Sequence, residues 1–174
     1  MLELLLLRHA KSRSDQPGAD DHERGLDERG LAAAPRVGRL VRERALAPDL
    51  VLCSTATRAR RTWELVAAEL GGAAEMPVQH LRTLYLAEPA AMLDVVQRRG
   101  AGARRVMLVA HNPGMHALAL RLVGAGEPAA RAQLAKKFPT AALALVGFPG
   151  EEWRAAAFGR GELLGFWRPR ELEG

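Results

Sequence analysis

The stretch Leu4-Leu5-Leu6-Leu7-Arg8-His9 decides how this sequence should fold. Four consecutive apolar residues predict a short β-strand buried on both faces, as in the centre of a parallel sheet. Arg8 and His9 follow directly at the carboxyl end of that strand. Because parallel sheets bind ligands at the carboxyl ends of their strands, these two side chains are candidates for a functional site.

Beyond this stretch, short apolar runs alternate with longer helical patterns, which predicts an α/β domain. Further strands are predicted at residues 50–53, 78–81 and 106–110, and an antiparallel hairpin at residues 141–148 and 153–158. Helices are predicted over residues 27–45, 54–70, 89–96 and 113–122. Pro35 indicates a kink or a restart in the first helix. Ser54 is predicted as the N-cap of the second helix, which Gly71 and Gly72 end.

The size and composition predict one soluble domain over residues 1–174, without a repeat, a low-complexity tail or a linker. Hydrophobic residues make up 48% and charged residues 26% of the 174 residues, which is ordinary globular usage. The single cysteine, Cys53, excludes an internal disulfide and suits a reducing compartment. The apolar run at residues 4–7 is too short for a membrane span or a signal-peptide core. We therefore expect a cytoplasmic protein.

The charge balance favours an anionic ligand. The formal net charge is +5, and only three of the 25 basic residues are lysines. The planar fork of arginine suits bidentate binding of phosphate oxygens. Coding bias would produce the same richness in arginine, so the composition leaves both explanations open.

Three predicted strands share one feature, a histidine or arginine near the carboxyl end. Arg8 and His9 follow the first strand, Arg58 lies shortly after the strand that ends near Ser54, and His111 follows the strand at residues 106–110. If these strands are neighbours, two arginines and two histidines meet at one edge of the sheet, close to the free N–H groups of helix N-termini. Phosphate is the expected ligand, because arginine binds it with paired hydrogen bonds.

Six segments, in order, resemble those of the histidine phosphatase (phosphoglycerate mutase-like) superfamily, and the later ones are similar to its SixA-like phosphohistidine phosphatase branch. The first segment covers residues 5–12 (LLLRHAKS). The others are residues 21–30 (DHERGLDERG), 54–62 (STATRARRT), 84–89 (LYLAEP), 109–115 (VAHNPGM) and 137–142 (KFPTAA).

This resemblance implies a three-layer α/β/α fold with a mostly parallel central sheet and no large cap insertion. It makes His9 the catalytic nucleophile, which accepts the phosphoryl group. It makes Arg8, Arg58 and His111 the catalytic and phosphate-binding pocket. A neutral imidazole is a competent nucleophile near pH 7, provided that its other N–H is held by an acceptor such as a carbonyl group. No cofactor and no metal ion are expected.

The roles of three other residues stay open. Glu88 lies where many superfamily members carry a general acid, but a charge next to Pro89 would also favour a helix dipole. His22 is predicted in an exposed loop, with a place at the mouth of the pocket as the alternative. His116 has no predicted role, since residues 111 and 116 diverge on a helix and do not form a metal site.

The expected function is hydrolysis of phosphohistidine on a protein partner, such as a phosphotransfer domain or a phosphocarrier. A monomer with an open pocket fits such a partner, and no membrane or nucleic-acid partner is expected. The alternative is a small-molecule phosphomonoesterase on the same scaffold. A non-catalytic module that binds anions or nucleic acid is a third hypothesis, although aromatic residues make up only 5% of the chain.

Overall fold

A computed structural model describes residues 1–15, 18, 20–71 and 75–172. Pro17, in the loop before the first helix, and Gly72, one of the predicted helix-ending glycines, lie outside the described residues. The described residues form one seven-stranded sheet of order β3-β2-β4-β1-β6-β7-β5. The strands are β1 Leu2–Arg8, β2 Leu50–Ser54, β3 Val78–Leu81, β4 Arg105–Ala110, β5 Val123–Gly126, β6 Leu143–Phe148 and β7 Gly161–Trp167.

The predicted first strand lies at the centre of this sheet. β1 pairs in parallel with β4 on one side and antiparallel with β6 on the other. Its side chains alternate between two cores, because successive side chains of a strand point to opposite faces. Leu4 and Leu6 enter one apolar core, and Leu5 and Leu7 enter the other. An all-leucine run is therefore what a strand covered on both faces requires.

Helices cover both faces of the sheet. The five α-helices in the described part of the chain are α1 Glu28–Glu43, α2 Thr57–Ala68, α3 Pro89–Arg99, α4 Gly114–Leu122 and α5 Pro128–Lys136. Buried residues of α1 and α2 pack in the core with Leu5 and Leu7, whereas those of α3, α4 and α5 pack in the core with Leu4 and Leu6. The prediction of a three-layer α/β/α fold with a mostly parallel sheet is confirmed. No described helix has the length and apolar character that a membrane span requires.

One local prediction about helices was wrong and another was wrong in part. α1 runs through Pro35, which excludes the restart, one of the two effects predicted for that residue. Ser54 does not cap α2, since that helix begins at Thr57 after Ala56 and has no side-chain cap. Ser54 instead ends β2 as a fully buried residue. Serine is a common N-cap residue, but the Ser54 hydroxyl group forms a hydrogen bond with the distant His111 side chain and does not cap the helix.

The predicted hairpin has a different second strand. Residues 153–155 form a short 3-10 helix, and the strand antiparallel to β6 is β7. Trp153 is buried because its indole N–H donates to the Ala103 carbonyl at 2.7 Å, and its ring packs edge-on against Phe148. Two glycines weaken the strand signal of β7 in the sequence. β5 and α5 were not predicted from the sequence.

The register of the sheet brings the functional strand ends together. Arg8 is paired with Ala110 at the end of β1 and β4, and Cys53 is paired with Val109 at the end of β2 and β4. The segments that follow these three parallel strands therefore begin side by side at one edge of the sheet.

Candidate active site

The four residues predicted to form one pocket do come together at this edge. The ring centroids of His9 and His111 are 5.1 Å apart, and both rings are buried. Arg58 projects from the first turn of α2 and is only 3% exposed. Arg8, the last residue of β1, is partly buried. Two guanidinium groups and two imidazoles thus lie in one largely desolvated site.

The orientation of His9 follows from one backbone hydrogen bond. Its Nδ1 lies 2.7 Å from the Ala10 carbonyl oxygen. Because a carbonyl oxygen can only accept, Nδ1 carries the proton and donates it. The Ala10 amide is held in turn by the Thr62 hydroxyl oxygen at 2.9 Å. In the neutral ring, Nε2 is therefore unprotonated, as the sequence analysis required of a nucleophile.

Burial keeps both histidines neutral. The pKa of His9 is lowered to about 3, first by desolvation and then by the nearby His111, Arg58 and Arg8, against the opposing effect of the Ala10 hydrogen bond. The pKa of His111 is lowered to about 4, first by burial and then by Arg58. Both imidazoles are uncharged across the neutral pH range, which leaves the positive charge of the site to the arginines.

These shifts predict that the free energy of unfolding falls as the pH is lowered from about 6.5 to about 4. An unfolded histidine gains its proton near pH 6.5, whereas His9 and His111 gain theirs in the folded protein only near pH 3 and 4. The unfolded chain thus binds more protons in this window, and each histidine contributes a slope of up to about 1.4 kcal/mol per pH unit. Urea unfolding at several pH values measures the slope, and His111→Gln should reduce it. A profile that stays flat from pH 6.5 to 4.5 would contradict the burial of these rings.

Arg8 is fixed by the loop that precedes β6. Its Nη1 donates to the Phe138 carbonyl oxygen at 3.0 Å, and the Asn112 side-chain amide donates to the same oxygen at 3.0 Å. Phe138 is fully buried, so this carbonyl is a rigid anchor. Burial, followed by the repulsion of Arg58, lowers the pKa of Arg8. The second contribution reflects how closely the two guanidinium groups approach.

Arg58 is held by Asp21, a residue from the loop between β1 and α1. Its Nη1 donates to the Asp21 carbonyl oxygen at 2.7 Å, and its Nη2 donates to Asp21 Oδ2 at 3.0 Å. The same carboxylate accepts from the Tyr85 hydroxyl and from Arg24. The Tyr85 hydrogen bond and the contacts with Arg58 hold the pKa of Asp21 well below its usual range. The carboxylate is therefore charged and orients the Arg58 guanidinium.

Ser54 holds His111 by a hydrogen bond, as Asp21 holds Arg58. His111 Nε2 lies 2.7 Å from Ser54 Oγ, which also accepts a hydrogen bond from the Ala56 amide. Among the described residues, His111 Nε2 is the acceptor within hydrogen-bond distance of the Ser54 hydroxyl proton. Ser54 therefore donates to Nε2, which places the His111 proton on Nδ1 as a free donor. Long-range ¹H–¹⁵N NMR spectra report this tautomer directly.

Three buried side-chain nitrogens have no hydrogen-bond partner in the described part of the chain, namely Arg8 Nε, Arg58 Nε and His111 Nδ1. All three belong to the predicted pocket. Buried donors are normally satisfied, and an unpartnered one costs about 1–3 kcal/mol. Three such donors at one place fit the oxygens of a tetrahedral anion such as phosphate.

The remaining predicted residues lie in different surroundings. Glu88 is exposed at the N-cap of α3, where its side chain makes no capping hydrogen bond. The segment that carries it packs against the start of α4, because a Cβ on Gly114 would come within 2.0 Å of the Ala87 carbonyl oxygen. Glu88 therefore follows a segment that contacts the helix after His111.

Two histidines outside the pocket have structural partners. His22 is partly buried, lies edge-on against Tyr85 and is bonded through Nε2 to the Thr55 hydroxyl at 2.7 Å. Tyr85 also lies edge-on against His111 with ring centroids 5.5 Å apart, so His22 is separated from the pocket by one aromatic ring and is not the exposed loop residue that was predicted. His116 donates from Nε2 to the Leu134 carbonyl at 2.6 Å. It therefore serves the packing of α4 against α5.

The sequence analysis did not identify Asp21, Tyr85 and Ser54 as parts of the site. Asp21 and Tyr85 do lie in the segments that resemble the superfamily, but neither follows a buried strand directly. Within the described residues, no group of three or more histidine, cysteine, aspartate or glutamate side chains is arranged to hold a metal ion. Cys53 is fully buried in β2, and burial raises the pKa of its thiol to about 12.

Comparison with known proteins agrees with this geometry. A family model described as the histidine phosphatase superfamily (branch 1) matches residues 4–85. The uncharacterized protein Rv1276c of Mycobacterium tuberculosis is 37% identical over 94% of this chain and 100% of its own. A crystal structure from Agrobacterium tumefaciens, assigned as the phosphohistidine phosphatase SixA, is 32% identical with a TM-score of 0.81, covering 97% of this chain and 98% of that one. A structure from Nakamurella multipartitia with the same assignment is 28% identical with a TM-score of 0.83, covering 97% of this chain and 96% of that one.

The fold, the clustered arginines and histidines and these matches define a phosphatase of the hydrolase class. The chain belongs to the histidine phosphatase superfamily, in its SixA-like branch. The resemblance on which the sequence analysis relied is confirmed.

Proposed function

We propose that this protein hydrolyses phosphohistidine on a protein partner, through a phosphoryl intermediate on His9. The observation that carries the proposal is the hydrogen bond from His9 Nδ1 to the Ala10 carbonyl at 2.7 Å. It leaves Nε2 as an unprotonated nitrogen in a site with two arginines and the free donor of His111. A neutral nucleophile surrounded by cationic donors suits attack on a dianionic phosphoryl group.

The roles of the other three residues follow from their free donors. Arg8, Arg58 and His111 hold the three equatorial oxygens of the phosphoryl group while the attacking and leaving nitrogens lie in line. Arg8 is anchored by Phe138, Arg58 by Asp21 and His111 by Ser54. Because these partners fix the donors before substrate binds, little reorganisation is needed in the transition state. Asp21 and Ser54 are positioning residues in this scheme.

The reaction proceeds in two steps and consumes water as its co-reactant. In the first step, His9 Nε2 forms a bond to phosphorus as the N–P bond of the substrate breaks. A substrate ring that is protonated on its other nitrogen leaves as neutral imidazole. In the second step, water attacks phosphorus, the bond to Nε2 breaks, and both protons of the water remain on the dihydrogen phosphate product. Nδ1 keeps its proton and its bond to Ala10 throughout, so that His9 also leaves as a neutral ring.

Two features favour a phosphohistidine protein over a phosphate ester. A nitrogen leaving group needs less protonation than an alkoxide, and Glu88, the candidate general acid, is exposed to solvent. The longest connection between the named strands and helices, residues 9–27, contains only the short 3-10 helix Asp21–Glu23 among its described residues. A site without an inserted domain above it admits a histidine on the surface of a folded partner. We accordingly place the protein in cytoplasmic phosphotransfer signalling.

A substrate panel tests the proposal. Wild type and Glu88→Gln are offered a histidine-phosphotransfer domain phosphorylated on histidine, a phosphoserine peptide and p-nitrophenyl phosphate. We expect the highest kcat/KM for the phosphohistidine domain, and we expect Glu88→Gln to retain that activity within about threefold while it loses more on the esters. Phosphate release and intact-mass spectrometry of the protein substrate measure both.

Three results would contradict the proposal or part of it. A wild type that hydrolyses only the esters would favour the small-molecule phosphomonoesterase. Salt-sensitive binding of polyanions without any phosphate release would favour the non-catalytic module. Because no step uses a metal ion, EDTA should leave the rate unchanged whereas vanadate inhibits competitively, and loss of activity on chelation would overturn this metal-free mechanism.

A further inference from the structure

A strongly basic groove lies beside the candidate active site. It has a volume of about 640 Å³ and is lined by residues of the β1–α1 loop, α1, the end of α5, the loop before β6 and the C-terminal segment. We call it the basic groove and define it by the residues Lys11, Arg29, Ala32, Ala33, Arg36, Lys136, Lys137, Pro139, Thr140, Arg168, Pro169 and Arg170. Seven of these twelve residues are lysine or arginine, and none is acidic.

Most of this charge is not neutralised by neighbouring residues. Arg168 forms an ion pair with Glu171 at 2.5 Å. Glu171 also interacts electrostatically with Arg170. Among the described residues, no carboxylate forms an ion pair with the side chains of Lys11, Arg29, Lys136 or Lys137, all of which are exposed. A cavity lined by several unneutralised cations attracts anions, because it concentrates the electrostatic potential of one sign.

The lysines make this surface different from the rest of the molecule. The sequence contains only three, Lys11, Lys136 and Lys137, and all three line the basic groove. Coding bias toward arginine explains a general positive charge, but it does not explain why residues from two distant parts of the chain converge on one cavity. The convergence is a property of the tertiary structure.

The basic groove adjoins the pocket through two backbone segments. Lys11 is two residues after His9, and its carbonyl lies so close to α1 that a Cβ on Gly30 would approach it to 2.2 Å. Lys137 precedes Phe138, whose carbonyl anchors Arg8. After Thr140 the chain donates from the Ala141 amide to the Arg8 and His9 carbonyls at 3.0 and 3.1 Å. The lining of the basic groove is thus joined by short backbone segments to the residues that hold Arg8 and His9.

We propose that the basic groove binds an acidic segment of the phosphorylated protein partner, next to its phosphohistidine. This inference rests on the function proposed above. Nucleic acid fits less well, because the lining contains no aromatic side chain on which a base could stack. Ala32, Ala33, Pro139 and Pro169 instead provide small apolar contacts between the cations, which suit the aliphatic parts of glutamate and aspartate side chains.

Charge reversal in the basic groove tests this proposal. Lys136→Glu/Lys137→Glu should lower kcat/KM for a phosphohistidine domain with acidic residues around its histidine by about tenfold or more, because opposite charges accelerate association. Its kcat/KM for p-nitrophenyl phosphate should stay within about twofold of wild type. Arg154→Glu/Arg160→Glu is the matched control, since both arginines are exposed, lie outside the groove and have no ion pair among the described residues. Lys136→Gln/Lys137→Gln, which avoids a new acidic residue at the end of α5, should show a smaller loss of the same kind.

A binding measurement separates this inference from the proposed function. A fluorescein-labelled octaglutamate peptide should bind wild type and the Arg154→Glu/Arg160→Glu control but not Lys136→Glu/Lys137→Glu. Its affinity for wild type should fall as the salt concentration is raised from about 50 to about 300 mM, because salt screens the attraction between the charges. If wild type binds the peptide but hydrolyses only esters, the proposed function fails and the groove stands. If phosphohistidine is hydrolysed while the groove variant behaves like the control in both assays, the groove inference fails alone. Tighter binding of a single-stranded oligonucleotide than of the peptide, through the same lysines, would also overturn it.

Discussion

His9→Ala should lower turnover of a phosphohistidine protein by at least about 10⁴-fold, because the nucleophile that accepts the phosphoryl group is lost. No neighbouring ring can replace it. Nε2 of His111 is engaged by Ser54, and His22 is engaged by Thr55 and Glu23. Single-turnover kinetics with a ³²P-labelled substrate measure the loss, and acid-labile label trapped on wild type should be absent from the variant.

His80→Ala is the matched control for this prediction. His80 is an exposed histidine in β3, on the far edge strand of the sheet from β1, and we expect its variant to stay within about twofold of wild type. Retention of a tenth or more of the activity by His9→Ala would contradict the assignment of the nucleophile. So would a phosphoryl label that peptide mapping places on His111.

Arg58→Lys should lower kcat/KM by roughly 10²–10³-fold although the charge is kept. The ammonium group of lysine cannot contact Asp21 with two nitrogens and still present a third to a phosphoryl oxygen, as the guanidinium can. Arg58 is 3% exposed, so water cannot supply the missing donor freely. Steady-state kinetics and the inhibition constant of vanadate, which should rise in parallel, check this expectation.

Arg60→Lys on the same helix provides the control, because Arg60 is exposed and no hydrogen bond from its side chain is present among the described residues. We expect it to be neutral within about twofold. If Asp21→Asn reproduced the whole loss of Arg58→Lys while vanadate bound normally to both variants, Arg58 would act only by holding Asp21. That result would contradict its direct contact with the phosphoryl group.

Local sequence patterns were sufficient for the central part of the fold. Leu4 to Leu7 predicted a doubly buried strand, and alternate residues of that run do enter the two cores. The pattern failed at residues 153–158, where Trp153–Ala155 form a 3-10 helix instead of the start of a strand. It also failed at Ser54, because a local preference for helix N-caps is weaker than a buried hydrogen bond to a distant imidazole.

Local sequence patterns therefore specified the layered α/β fold and put Arg8, His9, Arg58 and His111 at or shortly after the ends of buried strands. The tertiary structure makes β2, β4 and β1 neighbours, and it also decides which side chains hold these four residues in place. Asp21 and Arg58 are separated by 37 residues, Ser54 and His111 by 57, and Asp21 and Tyr85 by 64. The tertiary structure likewise brings Lys11 together with Lys136 and Lys137 in the basic groove. Hydrogen bonds and charge clusters of this kind depend on how distant loops close over the sheet, which no local periodicity or propensity encodes.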